Sequence, residues 1–222
     1  MGARAASGRL AALMAAWCAM VAPAFAQTDA AEPEPQRFSV EGETLTYDTT
    51  VLVNGRELDI RQSDVREMRA LLRDNPGVTR LALRSTGGGH YPAMDMAALV
   101  IDFELDTHVE DFCESSCVTV FLGGAKRSMA KGARLGFHQL SWGANSVQDY
   151  YNKHRQRRGW DTPFDFAEWL YKDTQTETYT RLAYMVERGV DAEFAIQSLR
   201  RPDATMWFPY RSVLKAAGVI TQ

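Results

Sequence analysis

Serine is a weak nucleophile at its own pKa. A chain that uses one for acyl transfer must expose the hydroxyl on a turn, supply a base within hydrogen-bond reach, and aim two N–H donors at the developing oxyanion. The segment Phe112-Cys113-Glu114-Ser115-Ser116-Cys117-Val118-Thr119-Val120-Phe121-Leu122-Gly123-Gly124 meets the first requirement. Thr107 to Phe112 reads as a short strand ending in Cys113, and Val118 to Leu122 as a buried helix stopped by two glycines. Ser115 then sits on the corner, and the N–H of Ser116 is free at the helix start as an oxyanion donor, with Ser116 contributing through its main chain. Serine is also a favoured N-cap, so the competing role for Ser115 is to cap that helix.

A second corner comes earlier. The apolar stretch Val78 to Leu83 runs as a strand into Ser85-Thr86-Gly87-Gly88-Gly89-His90, and a helix opened by Pro92 follows with Met94, Ala97, Ala98, Ile101 and Leu105. Phosphate binding fails on spacing: no Gly-x-Gly-x-x-Gly is present and no Lys-Ser or Lys-Thr follows. A backbone cradle for an oxyanion or a peptide fits, and the competing reading is a plain connector. Ala133 to Gln139 reads as a short strand in which Leu135 and Phe137 alternate with Gly136 and His138, so that His138 faces away from the apolar pair, although a lone strand histidine usually serves the structure. The histidines at 90, 108, 138 and 154 form no pair with metal-ligand spacing, so neither a metal nor a cofactor is expected.

The elements around these corners alternate between strand and helix, which argues for an α/β domain with a largely parallel sheet. Phe38 to Val40 and Leu45 to Tyr47 are strand-like, and Thr50 to Val53 is joined through Asn54-Gly55 to Glu57 to Ile60 as a hairpin. Ser63 opens a helix carrying Val65, Met68, Leu71 and Leu72, which Asn75-Pro76-Gly77 stops. From Trp142 to Arg200 the chain is mostly helical and crowded with Tyr150, Tyr151, Trp160, Phe164, Phe166, Trp169 and Tyr171, and Gly159 to Pro163 breaks it. Helices over Asp191 to Leu199 and Tyr210 to Ala217 precede a last strand at Val219-Ile220.

Arg4 and Arg9, an apolar run from Leu10 to Val21, and Ala24-Phe25-Ala26 make an export signal cleaved after Ala26. Residues 27–36 read as a flexible leader and 37–222 as one domain, with an aromatic-rich helical insert at about 142–188. The 196 residues after the signal keep all 28 acidic and 23 of the 25 basic residues, a net charge of −5 that argues against nucleic acid. No stretch is long and apolar enough to span a membrane. Cys113 and Cys117 straddle Ser115, and in an oxidising compartment, periplasmic or secreted, paired cysteines usually bridge.

Leu83-Arg84-Ser85-Thr86-Gly87-Gly88, Cys113-Glu114-Ser115-Ser116-Cys117, Gly124-Ala125-Lys126 and Gly136-Phe137-His138-Gln139 together resemble the Clp protease proteolytic subunit and its exported relatives in the crotonase-like superfamily. The resemblance covers Val78 to Gln139 and returns at Met206 to Ile220. It implies a crotonase-like α/β fold, with a mostly parallel sheet flanked by helices. It also implies Ser115 as nucleophile, His138 as base, and the backbone N–H groups of Gly87 and Ser116 as oxyanion donors. The family's acid lands near Met206, which has no carboxylate; Asp203 is the nearest candidate for a third catalytic residue. The chain is therefore expected to be an exported serine hydrolase acting on peptides or proteins. No ATP-dependent unfoldase partner is expected, and a homo-oligomeric state is left open. The alternatives are a carboxylic esterase and a non-catalytic module that grips a peptide or a protein.

Overall fold

The computed structural model describes residues 36–52, 58–202 and 204–222. The expected hairpin at Asn54-Gly55 lies outside them. Its flanks form no strand: Thr50 to Leu52 is irregular, and Ile60 makes a single parallel bridge to Gly88.

Alternating burial sets the sheet. β1 (Phe38–Glu41) and β2 (Thr44–Asp48) are an antiparallel pair, and β3 (Arg80–Ser85) and β4 (Asp106–Glu114) follow in parallel beside β2. α1 (Gln62–Asp74) and α2 (His90–Asp102) make the crossovers. β3 lies two residues later than the hydrophobic pattern predicts, because Arg80 and Arg84 can point to solvent while the residues between them are buried. α2 starts two residues before Pro92, at His90.

β4 is the pivot. Thr107 to Val109 pairs with β5 (Arg127–Met129), and Phe112 to Glu114 pairs with β6 (Arg134–Gly136). Its register against β3 slips between Leu83/Val109 and Ser85/Cys113, so β4 spends extra residues there and bends before α3 (Ser116–Leu122). The core is a continuous apolar cluster that takes in Leu81, Leu83, Val109, Val120, Phe121, Leu135 and Phe137.

α4 (Ala144–Arg158) ends on left-handed Gly159, and α5 (Pro163–Glu187) begins at a capping box closed by Thr162 and Asp165. α4 has no buried residue and packs on α5 through stacked aromatics, among them Tyr150 and Trp169 at 5.6 Å. α6 (Ala192–Ser198) and α7 (Arg211–Ala216) finish the chain. The expected strand at Val219-Ile220 is absent: both side chains are buried, but Val219 and Gly218 give their carbonyls to the Arg127 guanidinium rather than to a ladder. Among the described residues no helix is long and apolar enough to cross a membrane.

Candidate active site

The bend in β4 delivers Ser115 with φ 55° and ψ −127°, a left-handed conformation that a non-glycine residue adopts only under constraint. Its N–H is held by Gly136 O at 2.9 Å. Ser115 occupies the N-cap position of α3, yet its side chain makes no capping bond. The hydroxyl lies instead 2.6 Å from His138 Nε2. The sulfurs of Cys113 and Cys117 stand at disulfide distance with Cα atoms 5.3 Å apart, closing a short loop around the corner.

The glycine corner meets the serine corner closely. A Cβ on Gly87 would fall 2.7 Å from Ser115 Cβ and 2.8 Å from Glu114 O, so only glycine admits this approach. Gly87 N–H is committed to Ser85 Oγ at 3.0 Å, and its carbonyl accepts from Ile60 N–H. Because Ile60 bridges through Gly87 O and Gly89 N–H, the polar groups of Gly88 itself point away from Ile60. Gly88 lines the same cavity, of about 500 Å³, as Ser115, Ser116 and His138. The Ser116 hydroxyl, given no task in the sequence, donates to Gly88 O at 3.0 Å and ties the two corners together.

His138 follows β6, where Phe137 is fully buried and anchored by hydrogen bonds in both directions with Trp207. Arg181, on α5 and 5% exposed, donates from Nη1 to His138 O at 3.0 Å. Burial brings its pKa down to about 10. Asp203 lies outside the described residues. Met206, where the family's acid would fall, packs its sulfur over Gly136.

The inward side of α5 went unnoticed in the sequence. Glu177, Arg181 and Tyr184 are buried at spacings of four and three residues, and Tyr184 donates to Thr119 O in α3 at 3.0 Å. A search for apolar stripes reads such residues as a solvated face; the helical spacing of the large polar side chains was the available signal.

No family model matches the chain, and no curated protein does. Among solved structures, a mutant form of ClpP1 from Listeria monocytogenes is similar with a TM-score of 0.56 at 12% identity. The match covers 81% of this chain and 89% of that one. The fold is thus ClpP-like: mixed α/β, with a sheet flanked by helices.

Proposed function

We propose that this ClpP-like chain is an exported serine peptidase. The observation that carries the reading is the 2.6 Å contact between Ser115 Oγ and His138 Nε2 on a backbone corner that does not use the serine as a cap. With its proton on Nδ1, His138 accepts the Ser115 hydrogen through Nε2 as Oγ bonds to a substrate carbonyl carbon. The oxyanion is received by the N–H groups of Gly88 and Ser116. Gly88 takes the place expected of Gly87, whose amide hydrogen is already used by Ser85. Collapse of the tetrahedral intermediate breaks the C–N bond, the protonated His138 gives its hydrogen to the leaving amine, and water completes hydrolysis through the same base.

Two features support the wider setting. The N-terminal Arg4, Arg9, apolar run and Ala24-Phe25-Ala26 fit export with cleavage after Ala26. The Cys113–Cys117 pair at disulfide distance suits an oxidising compartment. Such a compartment lacks ATP, so the substrates are flexible peptides or unfolded segments rather than proteins handed on by an unfoldase. Asp203 stays a candidate for orienting His138.

The test is labelling with a fluorophosphonate, which requires an activated hydroxyl. The expected result is a single adduct on the Ser115 peptide, lost in Ser115→Ala. A folded protein that takes no label, or takes it elsewhere, removes the peptidase reading.

A further inference from the structure

The cavity beside Ser115 has an opposite wall that catalysis does not explain. Tyr91 from α2, Trp142 and Tyr150 from the start of the helical excursion, and Glu177 from α5 line it. Glu177 is the one acidic residue among the described lining residues, and no lysine or arginine is among them. It is 5% exposed, and none of the described ion pairs includes it. Arg181, one turn further along α5, is turned to His138 O.

Neighbouring groups add negative charge. The Tyr91 hydroxyl stands between Glu177 and Asp173, 3.3 Å from Asp173 Oδ1, and its single hydrogen serves one carboxylate at a time. Burial and then Asp173 push the Glu177 carboxyl above the usual range, with Tyr91 pulling it back. Among the described residues no cation pairs with this buried carboxylate.

An adjoining cavity, which shares Tyr91, Trp142 and Tyr150, has a cation supplied from within the chain. It is also lined by Asp173, and there Arg158 stands with its guanidinium 5.7 Å from the Trp169 ring centre and 6.0 Å from that of Trp160. That adjoining cavity therefore holds aromatic rings, an acid and a guanidinium. The inner one, beside Ser115, holds rings, an acid and the imidazoles of His90 and His138, with no guanidinium or ammonium among the described lining residues.

We propose that the inner cavity selects substrates bearing an arginine or lysine next to the scissile bond, with Glu177 receiving the charge and Tyr91, Trp142 and Tyr150 the apolar stem. The rings offer faces to a cation and cover for a methylene chain, and the carboxylate fixes its end. This assignment rests on the peptidase reading for the bond cleaved but not for the group bound.

The experiment compares fluorogenic peptides that differ only in arginine against citrulline, its uncharged isostere, placed on either side of the cleaved bond. The expected result is a kcat/KM for arginine higher by roughly tenfold or more in at least one position. Glu177→Gln should narrow that ratio to about threefold or less. Equal rates for the two residues at both positions, in a protein that cleaves them, overturn the proposal. If no peptide is cleaved and Ser115 takes no fluorophosphonate, the peptidase reading fails. The cation site is then judged by calorimetric titration of the parent protein with the same peptides, where equal affinities overturn it and tighter binding of the arginine peptide upholds it. Both comparisons are made on the parent chain, so they stand even if Glu177→Gln does not fold.

Discussion

Two halves of the cleft are built on opposite terms. On the sheet side the segments that carry the proposed chemistry are held by main-chain hydrogen bonds: Ser115 by Gly136 O, Phe137, next to His138, by Trp207, and Gly88 by the bridge that Gly87 and Gly89 make to Ile60. The helical side has α4 with no buried residue, and Phe164 and Tyr171 on α5 stand 82% and 70% exposed. The first half tolerates almost no displacement, as the proposed chemistry requires, while the exposed side chains of the second can change without unsettling the core. Substitutions should therefore separate cleanly: those on the sheet side lower kcat, and those on the helical side alter KM and selectivity.

The largest expected effect is at Ser115. Ser115→Gly should abolish peptide hydrolysis, by about 10³-fold or more, while raising stability by about 1 kcal/mol, because glycine adopts φ 55° without strain. Equilibrium denaturation and a peptide assay on the same preparation check it; a loss of stability would show that the hydroxyl serves the helix after all. Gly87→Ala comes next. Its methyl group would collide with Ser115 Cβ, so a fall in kcat should accompany destabilisation of about 2 kcal/mol.

Arg181→Met tests the boundary between the halves, since this arginine belongs to α5 but holds the His138 carbonyl. As a positioning residue it should cost about tenfold in kcat with KM little changed, and Arg181→Lys should restore part of the loss. Equal changes in kcat and KM would instead mark Arg181 as a contributor to binding. Trp142→Ala, on the helical side at 39% exposure, should raise KM by a few-fold and leave the unfolding midpoint in place.

How much of this was legible depended on what kind of signal each residue leaves. Ser115 and His138 announce themselves because a serine between a strand and an apolar helix, and a histidine alternating with Leu135 and Phe137, are local patterns. Gly87 and Gly88 are indistinguishable as letters. Their amides are told apart by the bond that commits Gly87 N–H to Ser85 Oγ and by the bridge to Ile60, the latter a contact between residues far apart in the chain. Ser116 reads as a main-chain donor and nothing more because the partner of its hydroxyl, Gly88 O, belongs to another corner. Glu177 and Arg181 were hidden by their polarity, and β6 proved shorter than its apolar alternation because the chain leaves the ladder at Phe137 to meet Trp207.

The smallest expected effect concerns acid. His90 lies between the halves, its Nε2 buried with no hydrogen-bond partner among the described residues. Burial, then the charge of Arg181, hold its pKa below the ordinary value, and Asp173 opposes them. The unfolded chain takes up a proton near pH 6.5 while the folded one resists it, so stability is full above that pH and declines as pH falls through the folded pKa. The limiting slope for one proton is about 1.4 kcal/mol per pH unit. His90→Gln should flatten this part of the profile in denaturation series between pH 7 and 5; an unchanged slope would assign the acid sensitivity to other groups.

Arg127 carries a consequence for timing. Its guanidinium collects the carbonyls of Leu122, the last residue of α3, and of Gly124 just beyond it, of Arg188 after α5, and of Gly218 and Val219, while its backbone accepts from Thr221. The last of these partners are more than 90 positions downstream. During synthesis, the full set of carbonyls around Arg127 at the far end of α3 is thus assembled only once the chain beyond Val219 has emerged. On the proposed reading, a nascent chain would carry Ser115 and His138 before the support at the far end of α3 is complete.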